Sequence, residues 1–181
     1  MPLGYSMPPL GYRALHLIKR VRVLLIIFVA GLVISGLTAF PLKWELDILK
    51  HLFVDNTSFL TDMIPQLSEW IAFVHRGVSE SYQSFPFMAY GTDWLGFAHI
   101  VIAVAFWGPI RDPLRNVWVI EFGIIACVLV VPFAMIAGSI RGIPLGWQFV
   151  DSLFGIVGII PLWLARNSVR QISQLEKVVA S

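Results

Sequence analysis

Four long apolar runs dominate the pattern of hydrophobic and polar positions along the chain. They cover residues 23–42, 94–110, 117–140 and 145–165. A helix rises about 1.5 Å per residue, so about 20 apolar residues cross the ~30 Å hydrocarbon layer of a bilayer. Because backbone groups in lipid must be hydrogen-bonded within their own segment, each run is expected to form a transmembrane helix. The pattern therefore predicts an all-α integral membrane protein built as a four-transmembrane-helix bundle.

The segment 43–90, between the first two runs, carries two shorter apolar stripes. Trp44, Ile48 and Leu52 repeat every four residues. The second stripe consists of Phe59, Met63, Leu67, Trp70, Val74 and Val78. This spacing is typical of amphipathic helices, which we expect on the outer side of the membrane. They are predicted to lie in the interface or cap the bundle, and a docking surface for a partner protein is the alternative.

Basic residues are divided unequally between the two sides that an alternating path through the membrane would create. Nine of the thirteen Lys and Arg residues fall on one side. These nine are Arg13, Lys19, Arg20, Arg22, Arg111, Arg115, Arg166, Arg170 and Lys177. Cytoplasmic loops of membrane proteins carry an excess of Lys and Arg. We therefore expect a multi-pass protein of the inner (plasma) membrane with both termini in the cytoplasm and the segment 43–90 outside.

Composition supports a membrane location and excludes some other classes of protein. Hydrophobic residues make up 57% of the chain and charged residues 13%, whereas soluble domains carry roughly 25% charge. The net charge of +2 and the lack of a Lys/Arg tract argue against nucleic-acid binding. The one cysteine, Cys127, lies inside an apolar run and cannot form an internal disulfide or a CxxC redox site. One membrane domain, 1–181, accounts for the whole chain.

Capping residues near the ends of the runs indicate where the helices begin. Asp112 and Pro113 resemble an N-cap followed by proline at the first helical position, which predicts the start of the third helix. Pro144 is expected to open the fourth helix in the same way. Thr92 and Asp93 place a hydroxyl and a carboxylate at the expected start of the second.

His99 and Asp151 are the polar residues that point most directly to a site. Ionisable side chains cost at least a few kcal/mol inside a membrane and usually face the protein interior. His99 lies six residues after Asp93, and Asp151 lies six residues into the fourth run, so each is about 9 Å below the outer surface. The two are therefore expected to meet at one depth, with Gln148 beside Asp151. A simple buried hydrogen bond is the alternative for the pair.

Other residues complete the candidate site or give it a structural explanation. Trp94 and Asp93 lie at the mouth expected for a pocket that opens outward. Arg141 is expected either to neutralise an acid at this mouth or to order the loop through a salt bridge with Asp151. Glu121, on the cytoplasmic half, is expected to pair with Arg111 or Arg115, with a proton or substrate gate as the alternative.

Two further patterns concern packing and metal binding. Gly31, Ser35 and Ala39 form a stripe of small residues on the first helix, and Ala134 and Gly138 repeat it on the third. Such stripes allow close packing within the bundle or between subunits of a homo-oligomer. A second pattern, Asp47, His51 and Asp55, has a spacing that suits a divalent ion but is more often a solvated polar face.

Three functions are compatible with these patterns. The leading hypothesis is an accessory or structural subunit of a membrane assembly, which binds lipid and protein partners and performs no catalysis. The second is an outward-open binding or transport protein for a lipid or small molecule, using His99, Asp151, Gln148, Trp94, Asp93 and Arg141. The third is a membrane enzyme or a haem or quinone redox subunit in which His99 is paired with Asp93 or Asp151. No motif identifies a cofactor.

Overall fold

The computed structural model describes residues 9–55 and 65–180, and in these ranges the chain is helical with short turns and no strand. The α-helices are α1 (Pro9–Thr38), α2 (Leu42–Lys50), α3 (Pro65–Ser84), α4 (Ala89–Ala105), α5 (Trp107–Arg111), α6 (Val117–Ile140) and α7 (Leu145–Ala180). A π-helical turn, His51–Asp55, follows α2, and a 3-10 turn, Pro86–Met88, precedes α4. The all-α prediction is confirmed for this part of the chain.

Four helical stretches are long and apolar enough to cross a bilayer. They are Gly11–Thr38, Pro86–Arg111, Val117–Ile140 and Leu145–Lys177. Each contains one of the four apolar runs or nearly all of it. Only 22–28% of the residues in the most apolar part of each stretch are buried inside the protein. Most of the apolar surface of these helices is therefore left for a surrounding medium or partner.

The helix limits agree with the apolar runs at both ends of α6 and at the start of α7, and they differ elsewhere. The first helix begins at Pro9 and the last continues to Ala180, both well outside their runs. In α7 the extension is held by packing, since Val169 and Ile172, which lie beyond the run, are buried although most of their neighbours in sequence are polar. The apolar run therefore marks only the lipid-compatible part of a longer helix.

Two predicted helix starts are wrong. Asp112 does cap a turn, because its Oδ1 accepts a hydrogen bond from the backbone N–H of Arg115 at 3.1 Å. However, this turn precedes α6, which begins only at Val117. The second helix begins at Ala89, so Thr92 lies inside α4 and donates its hydroxyl to the Ala89 carbonyl at 2.8 Å. In both places a short polar side chain bonds to a nearby backbone group, but the helix does not begin at that residue.

A tight turn joins α6 to α7. The N–H of Ile143 donates to the Gly138 carbonyl at 2.9 Å, and that of Gly142 donates to the Ser139 carbonyl at 3.3 Å. This pair of bonds is a Schellman motif, which requires a left-handed residue just past the helix end. Gly142 provides it with a φ of 70°. Pro144 then directly precedes α7, as predicted.

The described residues form two compact units. The first comprises the described parts of Met1–Gly31 and Ala103–Ser181, and the second those of Leu32–Ile102. The core of the first unit contains Phe28 and Phe106, whose ring centroids lie 4.9 Å apart. Gly123 permits this packing, because a Cβ there would lie 2.8 Å from the Phe106 ring. The single domain expected from the sequence stays a prediction.

Candidate functional site

His99 lies at a close helix contact within the unit of Leu32–Ile102. A Cβ on Gly36 of α1 would lie 2.9 Å from the Cβ of His99, and one on Gly96 would lie 2.6 Å from the Gly36 carbonyl oxygen. Glycine at both positions thus lets the backbones of α1 and α4 approach each other. The sequence placed the contact of α1 at Gly31, Ser35 and Ala39, which misses Gly36.

The ring of His99 is oriented by its own helix. Its Nδ1–H donates to the carbonyl oxygen of Leu95, four residues earlier, at 2.8 Å. Since a carbonyl only accepts, Nδ1 carries the proton, and Nε2 of the neutral ring is an acceptor. The hydrogen bond therefore fixes the orientation of the imidazole on α4.

Trp94 and Asp93 line one small pocket in the same unit. Its volume is about 300 Å³, and its lining residues are Phe40, Tyr90, Asp93, Trp94 and Phe97. Tyr90, Trp94 and Phe97 stack edge to face along α4, with ring centroids 5.8 Å and 5.7 Å apart. The four aromatic residues supply nearly all of the pocket surface and Asp93 belongs to the lining, so the site suits a small organic cation.

The α4 end of this pocket is fixed to α3 by a hydrogen bond. The hydroxyl oxygens of Tyr82 and Thr92 lie 3.1 Å apart. Thr92 gives its single proton to the Ala89 carbonyl, so Tyr82 donates to Thr92. The first turn of α4, which carries the pocket residues Tyr90 and Asp93, is therefore held against α3 by the side chain of Tyr82.

Gln148 has a structural role in the turn between α6 and α7. It is buried, and its Nε2 donates to the Ile143 carbonyl at 2.7 Å. The Ser139 hydroxyl donates to its Oε1 at 3.4 Å. A Cβ on Gly138 would lie 2.6 Å from the Gln148 side chain. Glycine at position 138 therefore leaves room for Gln148, and the side-chain amide of Gln148 is hydrogen-bonded within the turn.

Asp151 and Arg141 are both exposed on the unit that contains α6 and α7. The ion pairs found among the described residues do not join them, so the salt bridge that the sequence allowed is not formed. Ser152, next to Asp151, is buried and donates to the Gln148 carbonyl at 2.8 Å. Gln148 and Ser152 of α7 are therefore buried and stabilise packing, whereas the carboxylate of Asp151 is exposed. The pairing of Asp151 with His99 stays a prediction.

Glu121 forms an ion pair, but with Arg166 of α7. Both Nε and one terminal nitrogen of Arg166 donate to Glu121 Oε1, at 2.8 Å and 2.6 Å. The expected partners, Arg111 and Arg115, were chosen for proximity along the chain. Because α6 packs antiparallel to α7, the start of α6 lies beside the point at which the apolar run of α7 ends.

Arg22 lies at the same end of this unit as the Arg111 loop. Its guanidinium donates to the backbone carbonyls of Ile110 at 3.0 Å and Arg111 at 3.3 Å. These carbonyls end α5 and lack partners within that helix. The contact ties the basic start of α1 to the basic loop before α6.

The segment predicted to form two amphipathic helices contains α2 and α3, and its amphipathic role at the outer side of a membrane stays a prediction. The buried residues are Leu46 of α2 and Ile71 of α3, whereas Trp44 and Ile48 remain exposed. The α2 stripe thus faces away from its unit, where it is free to contact an interface or partner. Phe59 and Met63 of the second stripe lie outside the described residues.

The proposed metal triad is divided among other partners. Asp47 accepts a 2.7 Å hydrogen bond from Nε2 of His75 on α3. Asp55 pairs with Lys50 at 3.1 Å. In the part of the chain that the structure describes, no three His, Cys, Asp or Glu residues form a cluster able to hold a metal ion.

The residues that the sequence interpretation missed are mainly aromatic. Phe40, Tyr90 and Phe97 complete the pocket around Trp94, and the i, i+4, i+7 spacing of Tyr90, Trp94 and Phe97 is a signal that the sequence contains.

Comparisons of the chain with protein-family models, with curated proteins and with solved structures found no match.

Proposed function

We propose that this chain is an integral membrane protein that crosses the inner membrane four times and works as an accessory or structural subunit of a larger membrane assembly. The observation that carries the proposal is the outer face of α6. Its exposed residues are Phe122, Ile125, Leu129, Phe133, Ile136 and Ile140. They repeat every three or four residues along about 27 Å of helix. Soluble monomers rarely expose a continuous apolar patch of this kind.

The arrangement of charge supports an orientation with both termini in the cytoplasm. Arg22 bonds to the carbonyls that end α5, and Arg166 pairs with Glu121 near the start of α6. The start of α1, the Arg111–Arg115 loop and the end of α7 therefore gather at one end of their unit. An excess of Lys and Arg at one end is the usual mark of the cytoplasmic side.

The use of polar side chains supports a structural role. In the unit containing α6 and α7, Gln148, Ser152, Glu121 and Arg166 all bond to groups of the same unit. These groups stabilise turns and helix contacts. The exposed surface is mainly apolar and suits contact with lipid or with apolar helices of other subunits.

The subunit role is tested by measuring the mass of the assembly without detergent. The tagged full-length protein is extracted from its native membrane in polymer-bounded nanodiscs, and its mass is compared with that of the 20.3 kDa chain. We expect one stoichiometric partner, lost in the variant Leu129→Ala/Phe133→Ala and retained in Val104→Ala, which alters an exposed residue of α4. A nanodisc containing this chain alone would contradict the proposal.

A ligand-binding protein is the second candidate function, and the aromatic pocket of α4 favours it. A cation fits this pocket because aromatic faces and the carboxylate of Asp93 both attract positive charge. Choline, followed by tryptophan fluorescence, is a suitable probe. Binding that is lost in Asp93→Asn and in Trp94→Leu, but kept in Trp107→Phe, would support this function. No saturable change in the wild type would rule it out for this class of ligand.

A further inference from the structure

Two cavities lie along the contact between α1 and α7, both within one compact unit. The first, called the polar cleft, has a volume of about 450 Å³ and is lined by Arg13, His16, Leu17, Gln171, Gln174 and Leu175. The second, called the apolar groove, has a volume of about 660 Å³. Its walls are Leu24, Ile27, Phe28 and Gly31 of α1 and residues between Val150 and Leu164 of α7.

The residues that line the two cavities follow one another along one face of each helix. On α1, residues follow one another at intervals of three or four through both cavities: Arg13, Leu17, Arg20, Leu24, Ile27 and Gly31. On α7 the corresponding series is Val157, Ile160, Leu164, Asn167, Gln171 and Gln174. Residues at this spacing share one helix face. The polar cleft therefore continues into the apolar groove along a single seam.

The polar cleft suits an anion. Arg13 supplies a guanidinium with five donors in a fork that matches phosphate oxygens, and Gln171 and Gln174 supply further amide donors. Arg20 follows on the same face, toward the groove. The nearest acid along α7, Glu176, lies about 140° around the helix from Gln171 at about 100° per residue. The charge of the cleft is therefore positive along the seam.

The apolar groove suits a hydrocarbon chain. Its wall on α7 extends from Val150 to Leu164, or about 21 Å at 1.5 Å per residue. One leaflet of the hydrocarbon layer is about 15 Å thick, half of ~30 Å. Gly31 leaves space in the groove, because a Cβ there would meet no atom within 4 Å. An extended acyl chain of one leaflet thus fits along the wall.

We propose that the α1–α7 seam is a binding site for one anionic phospholipid, with the phosphate and headgroup between Arg20 and the polar cleft and an acyl chain in the apolar groove. Basic pockets between transmembrane helices on the cytoplasmic side recognise anionic headgroups in this way. This site rests on the proposed insertion in the bilayer. It adds the class of lipid, the end of the seam that binds the headgroup and the groove that holds the acyl chain.

The charge of the headgroup is tested by native mass spectrometry of the full-length protein in detergent. Phosphatidylglycerol and phosphatidylcholine of the same chain length compete at equal concentration. Each Arg near a membrane surface contributes about fivefold in affinity for an anionic lipid, so Arg13 and Arg20 together give about 30-fold. We expect the wild type to favour phosphatidylglycerol by about this factor. Arg13→Gln/Arg20→Gln should abolish the preference.

The matched control for charge is Arg76→Gln/Arg141→Gln, which removes two cations that lie outside the seam. It should keep the preference of the wild type. The groove is tested by Gly31→Leu, whose side chain would occupy space that is now open and whose helix propensity exceeds that of glycine. Gly31→Leu should lower the occupancy of both lipids several-fold. Gly146→Leu, at another open position, should leave it unchanged.

Several results would overturn the site. These are equal binding of the two lipids by the wild type, an equal loss of preference in both double arginine variants, unchanged occupancy in Gly31→Leu, or a lipid-free dimer that covers the groove. Failure of the site is distinguished from failure of membrane insertion by washing membranes with alkaline carbonate. Protein that stays in the washed membrane but shows no lipid preference would refute the lipid site and leave the insertion standing.

Discussion

The ion pair between Glu121 and Arg166 gives a quantitative test of its proposed environment. Helix α6 has 24 residues and a length of about 36 Å. It therefore extends about 3 Å beyond each side of a ~30 Å hydrocarbon layer when centred. Glu121 lies four residues, or about 6 Å, from the helix start. The pair is thus expected about 3 Å inside the boundary, where water competes poorly for its hydrogen bonds.

The perturbation is a double-mutant cycle of Glu121→Gln, Arg166→Gln and the combined variant. Hydrogen bonds to charged groups contribute about 1.5–3 kcal/mol, and each single variant leaves a charge without its partner. We expect each single variant to lower the free energy of unfolding by about this amount. Because the combined variant leaves no charge behind, its loss should be smaller than the sum, with a coupling of about 1.5–3 kcal/mol.

The assay is unfolding by a denaturing detergent in mixed micelles, followed by the fluorescence of the seven tryptophans. The exposed pair Lys50–Asp55 is the matched control, and the cycle of Lys50→Gln and Asp55→Asn should give a coupling of only about 0.2–1 kcal/mol. A coupling for Glu121 and Arg166 that is no larger than in this control would contradict a water-poor environment for the pair. It would mean that water solvates the pair at the start of α6.

Three further predictions concern packing, backbone and charge. Gly155→Ala should lower the melting temperature by about 2–8 °C, because its Cβ would collide with the Cys127 carbonyl, whereas Gly146→Ala should not. Gly142→Ala should cost about 1–2 kcal/mol in unfolding experiments because it forces alanine into a left-handed conformation. Burial raises the pKa of Glu45 above its ordinary value of 4.5, so the wild type loses stability as the pH rises from 4.5 through the raised pKa. Glu45→Gln should therefore unfold at a higher temperature than the wild type at pH 7, and the difference should vanish below about pH 4.5. Unchanged unfolding in Gly155→Ala, a neutral Gly142→Ala or a pH-independent effect of Glu45→Gln would contradict the respective argument.

The helical architecture was predictable from the sequence because it depends on long-range averages. Apolar runs of about 20 residues specify long helices whatever the details of their packing. Both limits of α6 followed directly from its run. The ends of α1 and α7 did not, because polar residues such as Arg13 and Gln171 continue a helix whose buried side holds only a few apolar residues.

The contacts within the candidate site were less predictable, because they depend on helix rotation and register. Gly31 and Ser35 mark one face of α1 and Ala39 follows its end, but the close approach to α4 occurs at Gly36, about 100° around the helix from Ser35. The partner of Glu121 was sought along the sequence and lies on the neighbouring antiparallel helix. Gln148 was assigned to a ligand site, although its amide stabilises a turn whose geometry only the structure reveals.

The exposed faces of the helices could be predicted only in part. The sequence marks Trp44 and Ile48 as one stripe of α2, but its spacing does not tell whether the stripe is buried in the chain or faces outward. The structure leaves both side chains exposed and buries Leu46 instead. A stripe that faces outward is consistent with the expected contact between α2 and a membrane interface.

Site-directed labelling tests the four-pass membrane topology most directly. Arg76, Arg141, Arg115 and Lys177 are each replaced by a single cysteine in a Cys127→Ser background. Spheroplasts with an intact inner membrane are then treated with a membrane-impermeant maleimide. We expect the cysteines at 76 and 141 to react at once, whereas those at 115 and 177 should react only after the membrane is permeabilised. Equal reaction of all four in intact spheroplasts, or reaction of 76 and 177 from the same side, would contradict the four-pass topology.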